Sequence, residues 1–224
     1  MRRRVMGGGK IDYDKYPNGV YILHVNGKLY TRAEWNAAWN DSAVGVALKT
    51  DNCRFVIAPE GLDEDNLPWS KYGAYEEVPG VTTTTEETIA IDDYKGEANT
   101  AAIVSHYGAG TDYAVGWCAN YTFKNGAKGY LGACGEWLEA FNNKAEIDAC
   151  MNLITGGIAI KAPYYYSSTQ YDFYSAWGLG AGRTCTPTLR VLVFTSVPSP
   201  RWNKTGTNDY TSQRRRGACE AAKV

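Results

Sequence analysis

Apolar and polar positions alternate in short blocks along the first quarter of the chain. Val20–Val25 is an apolar β-type run, and Leu29-Tyr30 opens a return strand. Between them, Asn26-Gly27 is a hairpin signal, read as a turn whose two central positions take φ > 0. Thr31 followed by Glu34 has capping-box spacing and predicts a short helix carrying Trp35, Ala38 and Trp39. Ala43–Lys49 and Arg54–Ala58 read as two more strands around an Asp51-Asn52 turn. Residues 60–97 are irregular, with acidic clusters, a Thr82–Thr85 run and two prolines. They read as a long excursion across the surface.

Helical spacing then takes over. Asn99–Tyr107 is a helix candidate closed by Gly108. Cys134–Phe141 is a second, with Trp137, Leu138 and Phe141 on one face. Asn143 with Glu146 introduces a third, carrying Ile147, Met151 and Ile154 and stopped by Gly156-Gly157. Ile158–Lys161, Tyr164–Ser168, Ala176–Leu179 and Leu189–Phe194 are strand candidates. Strands, then two or three helices, then strands predict an α+β fold in which both halves of the chain feed one sheet system. The expected organisation is a loose leader over 1–18, a β-rich N-terminal module with a long loop over 19–97, an α+β domain over 98–200 and a basic tail over 201–224.

Composition narrows the partners. The 224 residues suit one large domain, or a domain with a smaller module, and 17 Tyr with 7 Trp offer broad contact area at low entropic cost. Net charge is -1, and the basic clusters Arg2–Arg4 and Arg214–Arg216 read as solvated tails, so no nucleic-acid partner is expected. The six cysteines (Cys53, Cys118, Cys134, Cys150, Cys185 and Cys219) show no CxxC spacing, and the chain has two histidines. They read as mostly buried free thiols, with no metal site. No apolar segment follows the basic N-terminal residues, and no stretch has the length of a membrane span.

Signals for chemistry are weak. No nucleophile elbow, phosphate loop or zinc-binding His pair is present. Gly178, Gly180 and Gly182 read as permissive backbone. Trp39-Asn40-Asp41 matches the calcium tripeptide of sugar-binding lectins but lies in the wrong half of the chain. His106 and Cys118 read as a helix histidine and a buried thiol, and Glu136 with Glu139 as a solvated helix face. The chain is expected to be no enzyme and to carry no cofactor.

Residues 171–202 hold no Lys, Glu, Gln or Met, although these types supply 29 residues of the chain. At those frequencies such a gap arises in about one window in a hundred. The genetic code supplies a mechanism. Randomising both adenines of an asparagine codon reaches every residue type from Tyr171 to Arg201 except Trp177. Lys, Glu, Gln, Met and Trp are out of reach.

The segments Lys128-Gly129-Tyr130-Leu131, Gly135-Glu136-Trp137, Tyr165-Tyr166-Ser167-Ser168-Thr169 and Ala176-Trp177, with Leu189–Phe194 as a closing strand, resemble the variable proteins of diversity-generating retroelements. These are carried by gut bacteria and their phages. Tyr166 stands where that family usually has Trp, and its Asn-rich stretch is not visible after Leu179. The resemblance implies a C-type-lectin-like domain of antiparallel sheets with two or three helices, preceded by a module over Gly19–Pro59 like those of phage tail or fibre proteins. It implies a variable region over 171–200, rewritten by adenine-specific mutagenesis. The ligand-binding residues would be Tyr171, Asp172, Phe173, Tyr174, Gly178, Gly180, Ala181, Arg183, Thr184, Cys185, Thr186 and Thr188. The implied partner is a host-surface or protein ligand, and the implied assembly a homo-oligomer, a trimer among the options, or a subunit docked on a fibre. Synthesis in a bacterial cytoplasm without a signal peptide, then residence on a virion tail or cell surface, completes the expectation. The alternatives are a structural virion protein and an oxidase-type enzyme on the same fold, which needs a reactive cysteine pair.

Overall fold

A computed structural model describes residues 13–61, 67–71, 76–160, 164–180 and 193–196. In chain order they form β1 (Gly19–His24), β2 (Leu29–Tyr30), β3 (Ala43–Lys49), β4 (Arg54–Ile57), α1 (Glu87–Ala90), α2 (Gly96–Tyr107), α3 (Ala114–Asn120), β5 (Tyr130–Leu131), α4 (Cys134–Asn142), α5 (Lys144–Met151), β6 (Tyr164–Gln170), β7 (Ala176–Gly180) and β8 (Val193–Ser196). Six strands make one antiparallel sheet in the order β2-β1-β3-β4-β8-β5, and β6 pairs with β7 in a second. The fold is α+β, and the large sheet runs across the boundary drawn at residue 97.

The apolar runs of β1 and β3 are continuous because both faces of this sheet are covered. Tyr21 and Leu23 pack with Ile103, Val115 and Cys118 of α2 and α3. Val20 and Ile22, one residue out of phase, pack with Trp137, Ile147 and Met151 of α4 and α5. Each fully buried Leu or Ile contributes about 1.5–3 kcal/mol. β8 closes the second layer, with Phe194 edge-on to Phe55 at 4.6 Å and to Trp137 at 4.9 Å.

Several sequence expectations shift in detail. The turn after β1 closes through a bond from the Gly27 N–H to the His24 carbonyl at 2.8 Å, so Asn26-Gly27 fills its last two positions rather than the central ones. Gly27 has φ 86°, and the Asn26 side chain accepts from the Lys28 N–H at 2.9 Å. This is a three-residue hairpin loop ending in a left-handed glycine. The Glu34 carboxylate reaches back as in a capping box, accepting from the Thr31 N–H at 2.9 Å and from the Thr31 hydroxyl at 2.8 Å, but only one turn follows. Asn36 then caps a separate 3-10 helix over Ala37–Ser42. Ile158–Ile160 lie in no strand. Their amides are taken instead by the Pro59 carbonyl and the Asp148 carboxylate. α1 and α3 are additional to the expected helices. No helix among the described residues is long and apolar enough to cross a membrane.

The solvated reading of Glu136 is overturned. Gly135 lets the start of α4 press against the chain near Asp93, since a Cβ there would lie 2.7 Å from the Ile91 carbonyl oxygen. That approach buries Glu136. Its carboxyl accepts from the Ala133 N–H at 2.8 Å and from the Tyr130 hydroxyl at 3.1 Å. Burial pushes its pKa up to about 8, against those two hydrogen bonds. Glu139 is at the surface, bonded to the Asn52 amide at 2.5 Å.

The folded pKa of Glu136 lies above the ordinary carboxyl value of 4.5, so between that value and about 8 the native state holds more protons than the unfolded chain. The stability Glu136 contributes is full below pH 4.5 and is lost as pH rises through 8. Denaturation series should show stability falling with rising pH in this window, at most about 1.4 kcal/mol per unit. Glu136→Gln keeps an acceptor for Ala133 and should flatten the profile; an unchanged slope would contradict the assignment.

Candidate functional site at the tip of the β6–β7 hairpin

β6 ends in four consecutive buried polar residues, Ser167, Ser168, Thr169 and Gln170. A polar run is tolerated inside a protein only when its groups are paired. The register of β6 against β7 shifts between Tyr166 and Gln170, so side chains replace part of the ladder. The Ser167 hydroxyl donates to the Trp177 carbonyl at 2.9 Å, while its own carbonyl accepts from the Trp69 indole at 2.8 Å. The Thr169 hydroxyl donates to the Asp93 carboxylate at 2.9 Å and accepts from the Cys134 N–H at 3.0 Å. Asp93 also accepts from the Asn99 amide at 2.8 Å and the Lys95 N–H at 3.1 Å. Its main-chain carbonyl accepts from the Gly135 N–H at 2.9 Å. The Trp137 indole, stacked on Tyr165 at 4.6 Å, donates to the Tyr166 carbonyl at 3.0 Å. Strand, α2, α4 and the loop before α2 are thereby tied together beneath the hairpin.

Gln170 anchors the other side. Its side-chain carbonyl accepts from the Val78 N–H at 3.0 Å and the Thr83 hydroxyl at 3.3 Å. Its amide donates to the carbonyls of Glu76 at 2.7 Å and Asp172 at 2.9 Å. Its main chain exchanges bonds with Thr82 and Thr84, at 2.9 and 3.0 Å. The Trp177 indole donates to the Thr84 carbonyl at 2.7 Å. Residues 76–84 therefore act as a fixed rail along the hairpin, within the long surface excursion expected for 60–97.

On this base stands a tight turn. The Tyr171 and Asp172 amides both donate to the Ser175 carbonyl, at 2.9 and 3.2 Å. One oxygen of Asp172, Oδ1, accepts three bonds at 2.8 Å, from the Tyr174 N–H, the Ser175 N–H and the Ser175 hydroxyl. Burial nudges the Asp172 carboxyl upward, but these bonds outweigh it and hold it below the usual carboxylate range. Phe173 and Tyr174, between the braced ends, are 45% and 67% exposed, with ring centroids 4.0 Å apart. Tyr171 is half-buried, edge-on to Trp177 at 5.1 Å.

The tip thus joins Tyr171, Asp172, Phe173 and Tyr174 from the expected ligand-binding set. Gly178 is buried and pairs with Tyr166, and Gly180 pairs with Tyr164 at the far end of the hairpin. Ala181, Arg183, Thr184, Cys185, Thr186 and Thr188 lie outside the described residues. Sequence reading missed Ser175, Gln170 and the buried Asp93–Asn99 pair. An Asp three residues before a Ser is itself a turn signature and marks Ser175. Nothing local marks Gln170, whose partners other than Asp172 lie about ninety residues away.

The other candidates have structural employment. Asn40 accepts from the Trp35 indole at 2.8 Å. His106 lies 3.0 Å from Glu76. Cys53, Cys118, Cys134 and Cys150 are free thiols, all buried but the half-buried Cys53. Burial pushes Cys53 up to about 12 and Cys150 up to about 11, and raises Cys118 well above its ordinary value. Thiols with such values are weakly nucleophilic at neutral pH. No cluster of metal-binding side chains occurs among the described residues.

Asp93→Ala should leave the Thr169 hydroxyl, the Asn99 amide and the Lys95 N–H without their acceptor. A loss of about 2–4 kcal/mol in urea unfolding is expected. A loss below about 1 kcal/mol would mean that water substitutes for the carboxylate. Compared with known proteins, the chain matches no family model, no curated protein and no solved structure, so its functional reading rests on its own residues and geometry.

Proposed function

We propose that this chain is a ligand-binding display protein, built on a C-type-lectin-like form of the α+β fold and diversified near its C-terminus by adenine-specific mutagenesis. It works on a phage tail or a cell surface and engages a host-surface or protein ligand. The observation that carries the reading is the hairpin tip: a five-residue turn, braced through its own backbone, that holds Phe173 and Tyr174 out in solvent. A stiff frame with exposed aromatic contacts is the physical arrangement of a paratope, because little conformational freedom is left to lose on binding. The tip also opens the window that lacks Lys, Glu, Gln and Met.

The high pKa values of the Cys53 and Cys150 thiols favour binding over the oxidase alternative, which requires a reactive pair. The buried layer under the hairpin favours display over a merely packed interface, since the bonds that fix the turn come from within the chain itself.

Two measurements test the reading. Phe173→Ala combined with Tyr174→Ala should change unfolding free energy by no more than about 0.5 kcal/mol per site while abolishing ligand capture. Loss of folding in that variant would remove the display idea. Gene copies compared with their template repeat should differ at adenine positions within codons 171–200. Substitutions spread evenly over the gene, or the absence of a donor repeat and reverse transcriptase beside it, would refute diversification.

A further inference from the structure

The three donors that brace the tip all converge on one oxygen of Asp172. Among the described residues, none donates to the other oxygen, Oδ2. The carboxylate therefore has two separable roles. Oδ1 holds the turn, and Oδ2 keeps a negative charge in the same five-residue turn that carries the exposed rings of Phe173 and Tyr174. No basic side chain among residues 171–180 neutralises that charge. A carboxylate in the same turn as a solvent-exposed aromatic pair is matched by a cation, which gains an ion pair and a cation–π contact together. A neutral apolar partner would leave the carboxylate facing an apolar surface, which is costly without a donor.

We infer that the hairpin tip is a receptor for a cationic side chain, an arginine or a lysine, projecting from the surface of a protein partner. This rests on the display reading above and names the chemistry that its described portion recognises. Arginine fits best: its planar guanidinium can donate to Oδ2 with one edge while a face lies on an aromatic ring. The carboxyl is held ionised by its hydrogen bonds, so this recognition persists at mildly acidic pH.

The test uses the intact protein with N-acetyl-arginine methylamide as probe and N-acetyl-citrulline methylamide as its neutral isostere. Ring resonances of Phe173 and Tyr174 and the amides of Tyr174 and Ser175 are followed by NMR. Both contacts are solvent-exposed, so millimolar dissociation constants are expected, with arginine preferred over citrulline by about threefold or more and the preference shrinking in high salt. Asp172→Asn retains an oxygen in the Oδ1 position and removes the charge. It should keep the Tyr174 and Ser175 amides protected while erasing the preference.

Equal responses to arginine and citrulline would overturn the inference, as would a preference that survives Asp172→Asn. If Asp172→Asn loosens the turn, Phe173→Ala decides, since it leaves Oδ1 braced. Arginine preference must then fall, and an unchanged preference overturns the cation–π half. Should the probes fail while Phe173→Ala with Tyr174→Ala still abolishes capture of the whole ligand, the display reading stands and the cationic partner alone is lost.

Discussion

The carboxylate of Asp93 is the constraint on which the β6–β7 hairpin depends. It is buried, and it collects a hydroxyl from β6, an amide from α2 and a main-chain N–H just before α2. A buried carboxylate without donors is strongly unfavourable, whereas one with three becomes a hub that fixes the relative positions of all three elements. The polar stretch Ser167–Gln170 can lie inside only because this hub and the 76–84 rail satisfy it. The hairpin therefore emerges from a layer held by directional bonds rather than by apolar packing alone.

That layer separates two kinds of stability. The large sheet is held by hydrophobic burial on both faces, which is non-directional and tolerates exchange of similar volumes. The layer under β6 is directional, and removing one member strands the others. Such a frame keeps a surface turn in one conformation, which a greasy contact would not ensure. Glu136 belongs to the neighbouring corner and works by a different rule: it is accommodated as a neutral acid, so its contribution varies with pH where the sheet's does not.

How much of this was legible depended on the range of each interaction. β1, β3 and β4 were readable because apolar runs are bounded by turn residues, and α4 because Trp137 and Phe141 recur at helical spacing. α3 was invisible: Ala114–Asn120 is short and has Gly116 in its interior. Its first amide is satisfied only by the distant Pro68 carbonyl. The loop before α2 looked like a surface excursion because its Thr and acidic residues are polar, yet Trp69, Val78 and Asp93 are buried there by partners far along the chain. Glu136 and Glu139 have equivalent sequence patterns, and the close approaches permitted at Gly135 and at Gly96, where a Cβ would lie 2.2 Å from the Glu136 carboxyl, favour burial of Glu136. In the tip, Asp172 and Ser175 were present as a turn pattern, but the role of Gln170 was not.

The brace on the tip has one more property. Two of the three groups that Asp172 binds are peptide N–H groups, and the third belongs to Ser175. Every residue except proline supplies the same peptide donor. The loop geometry is thus encoded by positions 172 and 175, while the side chains at positions 173 and 174 make none of the three bonds of the brace. A gene that rewrote those two codons would alter what the molecule touches and leave intact the means by which it is held.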